Sequence, residues 1–105
     1  MSFQCSIPAV PTLLRDDADV RIMRWDFPPG AATGWHQHGW VYFVVMLTNA
    51  VMRVHDGTHV TEIIRTAGET YQRPAGITHD VMNGSPDAPM AFVEIELKRP
   101  AALGA

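Results

Sequence analysis

The 105-residue chain has one cysteine, Cys5, so no disulfide can form within it and a cysteine-based zinc ribbon is excluded. Lysine is nearly missing: the basic residues are seven arginines and Lys98, scattered along the chain, and the net charge is −3. A nucleic-acid binder would carry a basic patch, and this sequence has none. Charged residues are scarce at 18% against 47% apolar, the opposite of the balance that keeps a chain disordered. No apolar run approaches the roughly 18 residues of a membrane span. The stretch Met1 to Leu14 has no basic leader and is broken by Pro8 and Pro11, so it does not read as a signal peptide. These absences predict a soluble, cytoplasmic protein with neither nucleic acid nor membrane as a partner. The length suits one domain, which at this size buries roughly 65% of its unfolded surface and needs no covalent staple.

Amphipathic helical periodicity is also lacking. Punctuation takes its place: eight glycines and eight prolines cut the chain into short β-rich pieces. Strands are predicted over Val20–Phe27, Trp40–Leu47, Val51–His55, Thr58–Arg65, Thr70–Arg73, Thr78–Asn83 and Met90–Leu97. Asp56-Gly57 is a strong hairpin signal, and Thr48-Asn49 reads as a second tight turn because asparagine tolerates the left-handed conformation. In Met90–Leu97, Ala91, Val93, Ile95 and Leu97 share one face, and Met90, Phe92, Glu94 and Glu96 the other. Many short strands without helices indicate an antiparallel sandwich or barrel. Residues 1–19 read as an N-terminal arm, 20–98 as the barrel and 99–105 as a tail. The apolar stretch Ile7 to Leu14 has no evident place in its own barrel. It predicts a homodimer in which the arm crosses to a partner and covers a strand edge; the alternative is packing on its own chain.

Among five histidines, His36 and His38 stand two apart. On a strand such a pair shares one face, about 6.6 Å apart along the chain, and two neutral imidazoles can converge on one ion. A pair of half-exposed strand histidines with backbone partners has the same spacing. His55 and His59 flank the Asp56-Gly57 turn and suit a solvated hairpin tip. Nothing near Cys5 suggests activation, and the methionines read as core filler. Trp35, Trp40 and Tyr42 surround the histidine pair, either lining a pocket or packing the core.

The wider context carries a pattern. Gly30 stands ahead of His36 and His38 as G-x5-H-x-H, and Gly68, Pro74, Gly76, His79 and Asn83 form G-x5-P-x-G-x2-H-x3-N. These segments resemble the paired motifs of the cupin superfamily, over roughly Val20 to Lys98. The resemblance implies an antiparallel double-stranded β-helix, the jelly-roll barrel, with a metal in its mouth. Carried over, His36, His38 and His79 fall on the three histidine ligands. The first motif departs where the family has a glutamate: Tyr42 and Phe43 occupy the two possible positions. Its closing glycine is replaced by Asn49-Ala50, a benign change if Asn49 takes positive φ. Asn83 reads as a loop hydrogen-bonder rather than a catalytic group.

Three neutral ligands leave a divalent ion its full charge, which favours an anionic partner and strengthens Lewis acidity. Iron, zinc, nickel, manganese and copper all suit such a site, and three-histidine iron sites occur in cupins resembling cysteine and diketone dioxygenases. If the strand runs on from His36, Tyr42 shares its parity and faces the metal as a weak ligand, proton donor or wall; Gly39 is where the register can break. Two functions stay open. One is a metal-dependent oxygenase, lyase or isomerase acting on a small anionic metabolite. The other is a non-catalytic cupin that binds a small ligand or metal as a sensor or accessory protein. A barrel that has lost its metal along with the glutamate is a third. Segments such as Pro29 to His36 and Phe92 to Glu96 are similar to those of small cupins named as β-alanine degradation proteins. That name implies a pathway rather than a reaction.

Overall fold

A computed structural model describes residues 7–99. Within them the chain forms strands β1 (Val10–Asp16), β2 (Val20–Phe27), β3 (His36–Gln37), β4 (Tyr42–Met46), β5 (Ala50–His55), β6 (Val60–Arg65), β7 (Thr70–Arg73), β8 (Thr78–Asn83) and β9 (Met90–Leu97). Two sheets face each other, in the orders β1-β2-β9-β4-β7 and β3-β8-β5-β6, and every ladder is antiparallel. This is the double-stranded β-helix. No helix in the described residues is long and apolar enough to cross a membrane.

The core lies between the sheets, where Phe27, Val44, Met46, Met52, Met90 and Phe92 are buried together. Phe27 and Phe92 tilt against each other with ring centroids 5.3 Å apart, a favourable aromatic geometry. On β9 the inward face is that of Met90, Phe92, Glu94 and Glu96, so a strand that starts in the apolar core ends with carboxylates between the sheets. The β5–β6 hairpin closes at Asp56-Gly57. There Gly57 has φ of 100° and the Asp56 carboxylate accepts from the backbone N–H of Thr58 and His59 at 2.9 and 2.7 Å.

Three expectations need correction. Thr48-Asn49 does not close a hairpin, because β4 and β5 belong to opposite sheets and the turn carries the chain between them. Asn49 does not adopt positive φ, which among the described residues only glycines do; its side-chain oxygen instead accepts from Ala67 N–H at 2.8 Å and ties two loops together. The stretch expected as an arm over residues 1–19 belongs, from Val10 to Asp16, to the sheet of its own chain as edge strand β1. Both faces of β1 are exposed, so backbone pairing rather than side-chain burial holds it, and no apolar alternation marks it in the sequence. Pro11 is tolerated because one side of an edge strand needs no donor, and a bulge at Leu14 breaks the regular edge. Cys5 and the tail beyond Arg99 lie outside the described residues.

Candidate metal centre

The short strand β3 pairs with β8 so that His36 lies directly opposite His79. The pairing runs on past β3: His38 N–H donates to Ile77 O, and Gly76 N–H donates to His38 O, each at 2.8 Å. His38 therefore keeps the face of His36. His79 comes from the adjacent strand of the same sheet. Gly76, with φ of 91°, makes the turn that brings β8 in beside β3.

The three imidazoles converge through their Nε2 atoms, 3.0 Å apart for His36 and His38 and 3.1 Å for His38 and His79. Two donors each about 2.1 Å from an ion stand about 3.0 Å apart when their bonds meet at a right angle. His36 Nδ1 lies 2.8 Å from Gly34 O. A carbonyl can only accept, so that nitrogen carries the proton and Nε2 offers its lone pair to the cluster. Burial, with the neighbouring rings, pushes the His79 pKa down to about 3, and burial lowers His36 as well. The result is a set of converging nitrogen donors, with protonation disfavoured at His36 and His79, which suits a divalent transition metal.

The opposite sheet supplies the surroundings. Tyr42 stacks on His38 with ring centroids 3.9 Å apart and planes 22° from parallel. It arrives there as the first residue of β4, not by continuation of the β3 strand. Burial, reinforced by Glu94, raises its pKa, so the hydroxyl stays protonated at neutral pH. Glu94 Oε2 lies 3.7 Å from His38 Nε2, and Glu96 Oε2 lies 3.8 Å from His38 Nδ1. Trp25 Nε1 donates to Glu94 Oε1 at 2.8 Å. Burial raises the Glu94 pKa, while His38 and the Trp25 hydrogen bond oppose the shift. These two carboxylates went unrecognised in the sequence; the signal was there in the alternation that sets them on the face of Met90 and Phe92.

Beside the histidines opens a cavity of about 290 Å³ whose walls include His79, Tyr42, Tyr71, Arg65 and Arg73. Arg65 is occupied, its guanidinium 2.7 Å from Glu69 and stacked over Tyr71. Arg73 lies across the ladder from Tyr42 and enters no ion pair among the described residues.

The other singled-out residues lie apart. Trp35 is exposed against His55, His59 is exposed on the hairpin, and Trp40 is half-buried with the Lys98 ammonium 5.5 Å from its ring. Asn83 is buried and organises loops, donating to Phe27 O and Ala88 O at 3.2 and 2.8 Å and accepting from Ser85 N–H at 3.0 Å.

No protein-family model matches the chain. It is 41% identical over 90 residues to the Beta-alanine degradation protein BauB of Pseudomonas aeruginosa, covering 86% of this chain and 94% of that one. A cupin domain from Bordetella pertussis has a TM-score of 0.85 at 39% identity, over 89% of this chain and 96% of the other. The polyketide cyclase RemF of Streptomyces resistomycificus shares the fold alone, with a TM-score of 0.68 at 19% identity over 89% of this chain and 67% of its own. The barrel, the paired motifs and an identity above 40% across nearly the whole of a relative lead to one conclusion: this chain is a member of the small cupins.

Proposed function

We propose that this cupin is a metal-dependent enzyme acting on a small anionic metabolite, with one divalent ion held by His36, His38 and His79. The observation that carries the reading is that His79, one of the three converging histidines, lines a cavity that also bears Arg73, a cation in no ion pair among the described residues. A substrate carboxylate set against Arg73 would be held with another polar group toward the histidines. A cavity of about 290 Å³ suits a small acid rather than a polymer. The name of the Pseudomonas relative supports that class, since β-alanine is itself a small carboxylate. A bound ion supplies Lewis acidity and open coordination positions. The chain's own residues orient the acid through Arg73, hold a proton at the Tyr42 hydroxyl and, by burial, disfavour protonation of His36 and His79. The proposed setting is the cytoplasm. We propose also that two copies associate through β1, where Val10, Leu13 and Leu14 are each more than half exposed.

The test is elemental analysis of the protein as isolated, followed by oxygen uptake and product analysis on a panel of small carboxylic acids. Metal-dependent turnover that falls in Arg73→Met supports the enzyme. Oxygen consumption marks an oxygenase, and product without it a lyase or isomerase. Tight binding of an acid without turnover would replace the enzyme by a binding protein.

A further inference from the structure

We propose that Glu94, on β9, is the carboxylate ligand of this metal centre, replacing from a different strand the glutamate that the first motif lacks. The inference rests on the three-histidine reading above and extends it.

Position is the first argument. His38 Nε2 is the hub of the cluster, with the Nε2 atoms of His36 and His79 at 3.0 and 3.1 Å and Glu94 Oε2 at 3.7 Å. Donors on a common ion with bonds of about 2.1 Å lie about 3.0 Å apart at a right angle and about 3.4 Å apart at the tetrahedral angle. Glu94 Oε2 thus stands about 0.3–0.7 Å beyond ligand separation from His38 Nε2, and, lying outside the close group of His36, His38 and His79, it joins a common ion by swinging its side chain toward the other two histidines. Glu96 cannot substitute for it, because its carboxylate lies on the Nδ1 side of the His38 ring, away from the converging nitrogens.

Orientation is the second argument. Trp25 donates to Glu94 Oε1, leaving Oε2 as the atom that faces His38. One carboxylate oxygen held by a donor while the other faces the ion is the arrangement that outer partners impose on metal-binding carboxylates. Charge is the third. Glu94 is 8% exposed, and no lysine or arginine pairs with it among the described residues. A carboxylate buried without a full positive partner is costly, and a divalent ion at the hub supplies that partner. Ligation by Glu94 leaves the centre with a net charge of about +1 instead of +2, a milder Lewis acid than three histidines alone would make.

The test uses Co(II), whose visible d–d spectrum reports ligand type and geometry, titrated against chelator competition into wild type, His79→Ala, Glu94→Gln, Glu94→Asp and Glu96→Gln. Circular dichroism checks that each variant is folded. Glu94→Gln keeps shape and can still accept from Trp25. It should weaken Co(II) by at least the roughly 10–100-fold that loss of an outer partner costs, and change the d–d bands. Glu94→Asp should recover part of the affinity, and Glu96→Gln should bind with wild-type bands. Wild-type affinity and spectrum in both Glu94 variants, with binding lost in His79→Ala, would overturn the Glu94 assignment and leave the histidines standing. Equal Co(II) binding by wild type and His79→Ala would overturn the three-histidine centre itself. If Glu94→Gln fails to fold, Glu94→Asp decides: unchanged bands refute the proposal, and altered bands with lower affinity support it.

Discussion

Metal-free protein should lose stability on mild acidification because of His79. Its imidazole has a folded pKa of about 3, against about 6.5 in an unfolded chain. Between those values the unfolded state binds a proton that the native state refuses, so stability falls as pH falls. At pH 7.5 the effect is close to zero. At pH 5.5, one unit below the unfolded pKa, it amounts to about 1.4 kcal/mol. The figure does not depend on the exact folded value, which need only lie well below 5.5. His36 is lowered too and adds in the same direction, whereas Glu94 and Asp80 are raised by burial and oppose it, since acid relieves a buried carboxylate. The net slope therefore mixes signs, and a variant isolates His79. Urea unfolding of apoprotein at both pH values, for wild type and His79→Gln, should show wild type losing about 1.4 kcal/mol more than the variant, with unchanged m-values. Equal losses in the two proteins would mean that the His79 ring is protonated freely in the native state, and the picture of a preformed neutral donor set would fail.

Tyr42→Phe keeps the stack on His38 but removes the hydroxyl. It should retain full metal content while lowering turnover about 100-fold or more, if the phenol is the proton donor of the proposed reaction; unchanged turnover would reduce Tyr42 to a wall. Asn83→Ala leaves the carbonyls of Phe27 and Ala88 and the N–H of Ser85 without their partner, and chemical denaturation should show a loss of about 2–3 kcal/mol. Light scattering at micromolar concentration should return twice the monomer mass, and Leu13→Glu with Leu14→Glu should return the monomer. A monomeric wild type would exclude pairing through β1.

Much of the fold was legible because proline and glycine mark its strand ends. Val20–Phe27, Thr70–Arg73, Thr78–Asn83 and Met90–Leu97 occupy the spans the punctuation predicts. What escaped was non-local. A turn such as Thr48-Asn49 announces a change of direction but not which sheet receives the next strand. Strand β1 buries neither face, so it leaves no hydrophobic pattern to read. The histidines announced themselves through spacing and motif. Glu94 and Glu96 did not, because an alternating strand reads alike whether its polar face meets water or a cluster of imidazoles. Only the partners across the barrel distinguish the two, and they come from β3 and β8, distant in sequence.

Strand β3 has a consequence beyond supplying ligands. It spans two residues, His36 and Gln37, and it belongs to a four-stranded sheet whose other members have six residues each. So short a ladder has little cohesion of its own. An ion shared by His36 on this strand and His79 on its neighbour would act as a rivet between them, adding its binding free energy to the opening of that one seam. The stiffness of the mouth would then be a variable set by free metal. Amide exchange at His38, whose N–H closes the seam on Ile77, would slow as the metal concentration rises, while exchange in the Phe27–Phe92 core would remain unaltered.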